Sequence, residues 1–578
     1  MSEFTLKSGF AGDTPAGITR TQIDTLLVAA FASTLSMLHT GFVFGIDNNI
    51  FHLPITAGLY DEPQFHDDAF IQSLRYFASG VWLLLSHVEH YLNHTAALFL
   101  GLTWLSRLLS FLGFLCCASL VGITTRIDKI VFSLVVCITS FLEGGSFAGL
   151  GGLFLNYFTH SELANGIILL AIYAAAKRRF TAATLLVGVT FFINAFAAVW
   201  LIAIIAAVAA DLLARNETTI RTVLGRTLAG LLPTALLALP VLINIASNPE
   251  IARPLDFDYA TYLRQYFAEH SLIDSIAGSD LLALAAIELL GAVALSELGT
   301  SARALGAAYG GAVLLYVLGI ALSLISNSPN ILNLQLLRSG TVIHLLAGLA
   351  IAALATRWLR DAKDRSFAFG GVSAVLLSAP ANAFALCIPV VLAAPSLLRV
   401  QPTTSPLMRG IGFAALAFAT LILFPFSAWQ NLNAALLLIE ARVEWTAIGN
   451  WARDATVASA MFLVPPGARD HGPQEMAGTI ALTRVAIFEA TAHRRIWVDY
   501  KRGAAAMWTP SYYHIWRTRS LETSLLTSLD QRLNYARNHS IDYVIDLCEA
   551  VPATPHPLFR TARLCVLPAQ PPAADATL

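Results

Sequence analysis

Charge is scarce in this 578-residue chain. Only 13% of its residues are Asp, Glu, Lys or Arg, against about 25% in an average soluble protein. Hydrophobic residues make up 56% and the mean hydropathy is +0.65. These values exclude a soluble enzyme, a disordered chain and a collagen-like fibre. No sign of charge is in excess: 36 basic against 37 acidic residues leave a net charge of −1. There is thus no global basic field for nucleic acid. Lysine is rarer still, at five of the 36 basic residues, a bias that reflects genome composition rather than function. The six cysteines form no CxxC or zinc-spaced cluster, and HExxH is absent, which argues against a structural zinc. The chain also lacks a Walker motif, and its C-terminal region has no GxGxxG after its first strand.

What the sequence has instead is long apolar runs. About 20 residues at 1.5 Å cross the hydrocarbon of a bilayer. Such runs lie near Ile23–Phe44, Thr95–Val121, Ile127–Leu142, Ser161–Ala176, Leu228–Ala246, Leu281–Leu295, Leu305–Ile325, Gly340–Thr356 and Gly410–Ala428. The first reads as a retained helix behind a polar leader (1–22) rather than a cleaved signal. Phe180–Leu213 and Phe367–Leu398 each exceed one span and read either as one tilted helix or as a tight pair. Ser378-Ala379-Pro380-Ala381-Asn382 marks a turn in the second, and Phe192-Ile193-Asn194 a weaker break in the first.

The positive-inside rule places short Arg- and Lys-bearing loops in the cytoplasm. Lys177-Arg178-Arg179 is the clearest. Arg357, Arg360, Lys363 and Arg365 form another, with Arg126 and Lys129, Arg215, Arg221 and Arg226, and Arg399 and Arg409 beyond them. All share one side only if both long stretches are hairpins. That gives about 13 transmembrane helices, the N-terminus cytoplasmic and the C-terminal region outside. The expected fold is an all-α polytopic membrane protein (23–428) followed by a small extracytoplasmic α/β domain (429–568) and a disordered tail (569–578). In the α/β region, strands are expected at Met461–Val464, Arg495–Lys501, Ile541–Leu547 and Leu564–Leu567, and helices at Leu432–Trp451, Arg484–His493 and Leu521–Asn538. An outside domain would put Cys548 and Cys565 in an oxidising space, where a disulfide between them can form.

The acids and histidines gather on the expected outer side. Asp47 stands about one turn beyond the first span, in the outer loop 45–94, with His52, His66, Asp67 and Asp68 after it. A carboxylate at a membrane boundary suits a general base, or a divalent cation shared with a second carboxylate. The competing reading makes Asp47 a helix end and Asp67 the cap of a helix over Ala69–Leu85. Arg107 lies within the second run, where a charge costs roughly 2.5–3.5 kcal/mol and demands a partner. Either a phosphate or Asp47 could serve, or the side chain could snorkel. A Gly-rich outer loop carries Glu143 at one end and Tyr157, His160 and Glu162 at the other. A third outer loop carries Arg264 and His270 amid aromatics that suggest a surface helix. Asp499 and Lys501, on an expected strand, read as a surface pair.

A retained first helix, an acid soon after it, about 13 spans and an outer C-terminal domain together resemble the GT-C glycosyltransferases. That class includes protein mannosyltransferases, aminoarabinose transferases and the catalytic subunit of oligosaccharyltransferase. Asp47 and His52 match the family's acid-then-His pattern. Leu53-Pro54, His66-Asp67-Asp68-Ala69-Phe70, Trp451-Ala452-Arg453-Asp454-Ala455-Thr456 and Met461-Phe462-Leu463-Val464-Pro465-Pro466 look like segments of uncharacterised bacterial membrane proteins of this kind. The resemblance implies transfer of a sugar from a polyprenyl-phosphate-linked donor to an envelope glycan, lipid or protein, at the outer face of a bacterial inner membrane. It makes Asp47 the catalytic base or the metal-side acid, Asp67, Asp68 or Glu143 a second carboxylate or metal ligand (Mg or Mn), and Arg107 or Arg264 the partner of the donor phosphate. His52, His66 and His160 would line the site. The departures are the missing WWDYG-like signature in the C-terminal region and the missing DxD in the second outer loop. Two other readings stand beside it: a transporter or flippase of a lipid-linked sugar or other envelope precursor, and a non-catalytic scaffold.

Overall fold

The computed structural model describes residues 20–92, 95–251, 253–379, 388–389, 392, 405–465, 485–551 and 556–570. Most of it is helix. Where no water can satisfy backbone N–H and C=O groups, the chain must satisfy them within each segment, and the apolar runs therefore form helices. Among the described residues, seven stretches are long and apolar enough to cross a membrane, from Arg20–Thr40 to Pro406–Ala455. His160–Ala176 and Phe180–Ile193 are shorter apolar helices.

The first ambiguous stretch forms two helices, Phe180–Ile193 and Ala195–Ala214. At 14 residues the first is only about 21 Å long, short of the ~30 Å hydrocarbon. Asn194 is the break. Its extended backbone ends one helix, and its side chain accepts from Ala197 N (3.2 Å) to cap the next. Arg178, before the pair, donates to the Glu217 carbonyl, after it (2.9 Å). The pair is therefore a hairpin with Asn194 at its apex. Of the second stretch, Asp364–Ser378 is a helix, and most of its remainder lies outside the described residues.

Helices approach closely where small residues allow it. A Cβ on Gly166 would come within 2.4 Å of the Leu109 backbone, and one on Gly188 within 2.8 Å of Thr234 Cα. Gly340–Arg360 is enclosed on all sides and forms the centre of the bundle. The basic loops share one end of the helices. Arg360 Nε pairs with Asp128 there (2.9 Å), and Arg226 donates to the Arg178 carbonyl (2.6 Å).

At the other end, the loop after the first helix folds into short pieces. Ala69–Leu85 is not one helix. Ala69–Ser73 is followed by a tight turn and a new helix, Gly80–Leu92. The interruption follows from packing: Ser79 Oγ donates to the Ile193 carbonyl (2.6 Å), and a Cβ on Gly80 would collide with the Phe192 ring.

The C-terminal region begins on a helix that runs unbroken from Phe424 to Ala455, through residue 429. Beyond it lies a five-stranded mixed sheet of β1 (Met461–Leu463), β2 (Arg495–Ile496), β3 (Tyr543–Leu547), β4 (Phe559–Arg560) and β5 (Leu564–Pro568). The order is β2-β1-β3-β5-β4, with β1 parallel to β2 and β3, and β5 antiparallel to β3 and β4. Two expectations change. The strand from Arg495 stops at Ile496, and Tyr500–Met507 turns helically instead. The helix expected over Leu521–Asn538 divides into Tyr513–Ser524 and Leu529–Asn538. A capping box between Ser528 and Gln531 starts the second. Residues 571–578 of the expected disordered tail lie outside the described residues.

Cys548 and Cys565 are bonded to each other at 17 residues' separation. Cross-linking a loop of that size contributes about 3 kcal/mol by restricting the unfolded chain. Cys548→Ser with Cys565→Ser is accordingly expected to lower the denaturation midpoint of this domain, and mild reductant should reproduce the loss in the native chain but not in the variant.

Candidate functional site

The end of the first helix sets the site. Gly41 and Gly45 have φ of 72° and 79°, and Asp47 follows at 47°. Left-handed backbone costs little for Gly and is tolerated by Asp. The chain therefore turns sharply and presents Asp47 at the wall of a cavity of about 1100 Å³. One carboxylate oxygen of Asp47 meets Lys501 Nζ at 2.6 Å, and the other accepts from the Tyr157 hydroxyl at 2.8 Å. Tyr157 comes from the Gly-rich loop. Lys501 comes from the C-terminal region, where Asp499 accepts from its backbone N (2.8 Å) and starts the Tyr500–Met507 turn. Burial disfavours the Asp47 carboxylate, but the Lys501 ammonium and the Tyr157 hydroxyl outweigh it and hold its pKa below the ordinary value. Burial, with Asp47 adding to it, raises the Tyr157 pKa, so the phenol keeps its proton to donate.

Arg338 lines the same cavity, just before the central helix. Its only side-chain hydrogen bond among the described residues is to Gln335 Oε1 (2.9 Å), and its Nε is buried without a partner. It pairs with no carboxylate among the described residues. A half-buried guanidinium without a counter-charge is costly and could be satisfied by an anion in the cavity. Gln335 itself sits at φ 48°, so a second left-handed residue aims a side chain here. His270, also in the lining, contacts the Gly149 carbonyl through Nδ1 (3.1 Å). Burial, aided by Arg338, pushes its pKa down to about 3, so it is neutral near pH 7.

A second wall of the cavity is aromatic. Phe51, Phe77 and Trp508 have ring centroids 5.6–6.2 Å apart, and all three line it. His52 stacks on Trp82 at 3.9 Å, and His160 Nδ1 accepts from Trp82 Nε1 at 3.1 Å. Both histidines line the cavity beside this wall.

The structure thus brings Asp47, His52 and His160 of the expected set to one cavity, and places the others elsewhere. Arg107 is fully buried and faces no donor. It pairs with Glu162 (3.1 Å), donates to the Leu155 carbonyl (2.5 Å) and lies over the Phe154 ring. Its partner is a carboxylate of its own chain because a charge among apolar helices needs one fixed in place. Glu143, the expected second carboxylate, pairs with His39 (2.7 Å) away from the lining. Asp68 caps the Ala69–Ser73 helix through Ile71 N (3.0 Å). Asp67 and His66 are exposed outside the cavity, and Arg264 pairs with Asp274 at the surface (3.1 Å). Among the described residues no three His, Cys, Asp or Glu side chains are grouped to hold a metal ion, and both Asp47 oxygens are already engaged. These side chains do not fit a divalent ion.

Arg338 and Lys501 escape a reading by sequence because the first opens an apolar helix and the second reads as a surface charge. A usable signal existed for both. They are basic residues on the side that the positive-inside rule leaves poor in them.

No family model matches the chain, and no curated protein matches it. Among solved structures it is similar to ArnT from Cupriavidus metallidurans bound to undecaprenyl phosphate, at 12% identity and a TM-score of 0.38, over 95% of this chain and 98% of that one.

Proposed function

We propose that the chain is an integral membrane glycosyltransferase that moves a sugar from a polyprenyl-phosphate-linked donor to an envelope acceptor. The observation that carries this reading is one cavity holding both an ionised carboxylate and a half-buried cation with no counter-charge among the described residues. The cavity lies at the end of the helices opposite the basic loops. The positive-inside rule then puts it on the extracytoplasmic face, with the N-terminus cytoplasmic.

In this reading Asp47 takes the proton from an acceptor hydroxyl. The acceptor oxygen bonds to the sugar's anomeric carbon as the bond from that carbon to the phosphate oxygen breaks. The electron pair leaves with the polyprenyl phosphate, whose added charge Arg338 neutralises bidentately. Lys501 stays paired with Asp47 and holds the carboxylate in place for that step. Purified protein in nanodiscs with a synthetic polyprenyl-phosphate sugar should release polyprenyl phosphate in step with sugar transfer. Intact protein that neither binds nor turns over such a donor refutes the reading.

The pH dependence follows from the Asp47 environment. A lowered pKa keeps the base form present well into the acid range, so the acid limb of the transfer rate should lie below the ordinary carboxylate value near 4. Lys501→Ala removes the main lowering influence and leaves burial, which raises the pKa. The limb should then move to higher pH. An unmoved limb in a pH–rate profile would deny Lys501 its role in positioning and tuning Asp47.

A second reading, a flippase of a lipid-linked sugar, is favoured by one observation: the apex of the broken Phe180–Ala214 pair, at Asn194, lines the cavity. Proteoliposome flux of the lipid-linked sugar without its consumption would favour it.

A further inference from the structure

We infer that the group carried into this cavity on the lipid phosphate is an uncharged sugar, bound between the Phe51–Phe77–Trp508 wall and the free amides of Asn48 and Asn330. The inference rests on the glycosyltransferase reading and deepens it.

The charges lining the cavity decide the matter. Among the described residues its carboxylates are Asp47, Glu250, Glu269 and Asp499. Asp47 is held by Lys501 and Tyr157. Glu250 pairs with Arg253 (2.8 Å) and accepts from Ser511 N (3.0 Å). Asp499 accepts from Lys501 N, and Glu269 is likewise engaged within the chain. Of the described cations in the lining, Lys501 and Arg253 are paired, and Arg338 alone has no carboxylate partner. The lining therefore has room for one anionic group, which the donor phosphate fills.

An amino sugar would bring an ammonium into a lining with no unengaged carboxylate among the described residues. A uronic acid would compete with the phosphate for the one available guanidinium. Either leaves a poorly solvated charge without a partner. The histidines do not alter this balance: His270 is neutral, and burial likewise lowers the pKa of His52.

The remaining polar groups suit hydroxyls. Asn48 and Asn330 line the cavity, and their side-chain amides make no hydrogen bond among the described residues. Each amide offers two donors and an acceptor, which matches the dual character of a sugar hydroxyl. The C–H face of a sugar ring is apolar and packs on an aromatic surface such as Phe51, Phe77 and Trp508 present. Asn48 adjoins Asp47 in sequence, so a ring held there lies beside the base.

The test uses the full-length protein in nanodiscs with four synthetic polyprenyl-phosphate ligands: bare, bearing a neutral hexose, bearing a cationic aminopentose, and bearing a hexuronic acid. Dissociation constants are measured at low and moderate salt. The neutral sugar is expected to tighten binding at least tenfold over the bare lipid, and the charged sugars to give no gain. Asn330→Ala and Trp508→Ala should each lose most of that gain. Binding of the bare lipid reports that each variant is folded. An aminopentose or uronic acid gain equal to that of the neutral hexose overturns the inference and leaves the glycosyltransferase reading standing. Failure of even the bare lipid phosphate to bind, with no difference between native protein and Arg338→Ala, overturns both.

Discussion

Asp47→Asn is expected to lower the rate of sugar transfer by about 10²–10⁴-fold, the usual contribution of a positioned general base. Asn has nearly the same shape and tolerates the left-handed backbone that the position requires (φ 47°). Its amide oxygen can still accept from Tyr157. What disappears is the proton acceptor and the charge that holds Lys501. Binding of bare polyprenyl phosphate should therefore persist or tighten, because Lys501 is released towards the anion, while the chemical step fails. Single-turnover transfer measured beside lipid binding separates the two effects. Transfer at the native rate in folded Asp47→Asn protein would remove Asp47 from catalysis.

The largest effect on stability is expected at Glu162→Gln. Arg107 and Glu162 are 0% and 1% exposed in their side chains. Removing one charge leaves the other buried without a counter-ion, at a cost of about 3–5 kcal/mol. The change should also reach the site. Arg107 donates to the Leu155 carbonyl and Glu162 accepts from Leu155 N (3.2 Å). Together they pin the loop that carries Tyr157 against Asp47. Thermal unfolding in detergent should show a large fall for Glu162→Gln and a smaller one for Arg107→Leu combined with Glu162→Leu, since that double change removes both charges. Equal falls for the two proteins would mean that the pair is not coupled.

Arg107 also shows how far a sequence can be read. That a charge inside an apolar run needs a partner follows from solvation alone. Which partner it takes does not, because Glu162 lies 55 residues away on the next helix but one. Glu143 and Asp68 are similar. Their surroundings in sequence suggest a shared site, but His39 claims one and a helix N-terminus the other. Within the C-terminal region, β3 and β5 were legible as short apolar runs. The end of β2 at Ile496 was not, because Asp499 starts a helical turn that local propensity does not announce.

By itself the sequence determined the helical membrane architecture, the side on which basic loops collect and the hairpin at Asn194 as one of two options, and it singled out Asp47 as a candidate. These follow from local quantities: length of apolar run, placement of charge, and a polar residue at a helix end. Only the tertiary structure decided which groups meet Asp47. Lys501 arrives from 454 residues away and Tyr157 from 110, and Arg338 takes its place from the start of the central helix. Electrostatic partnership depends on distance in space, and the closure of the C-terminal region over the helix ends sets that distance.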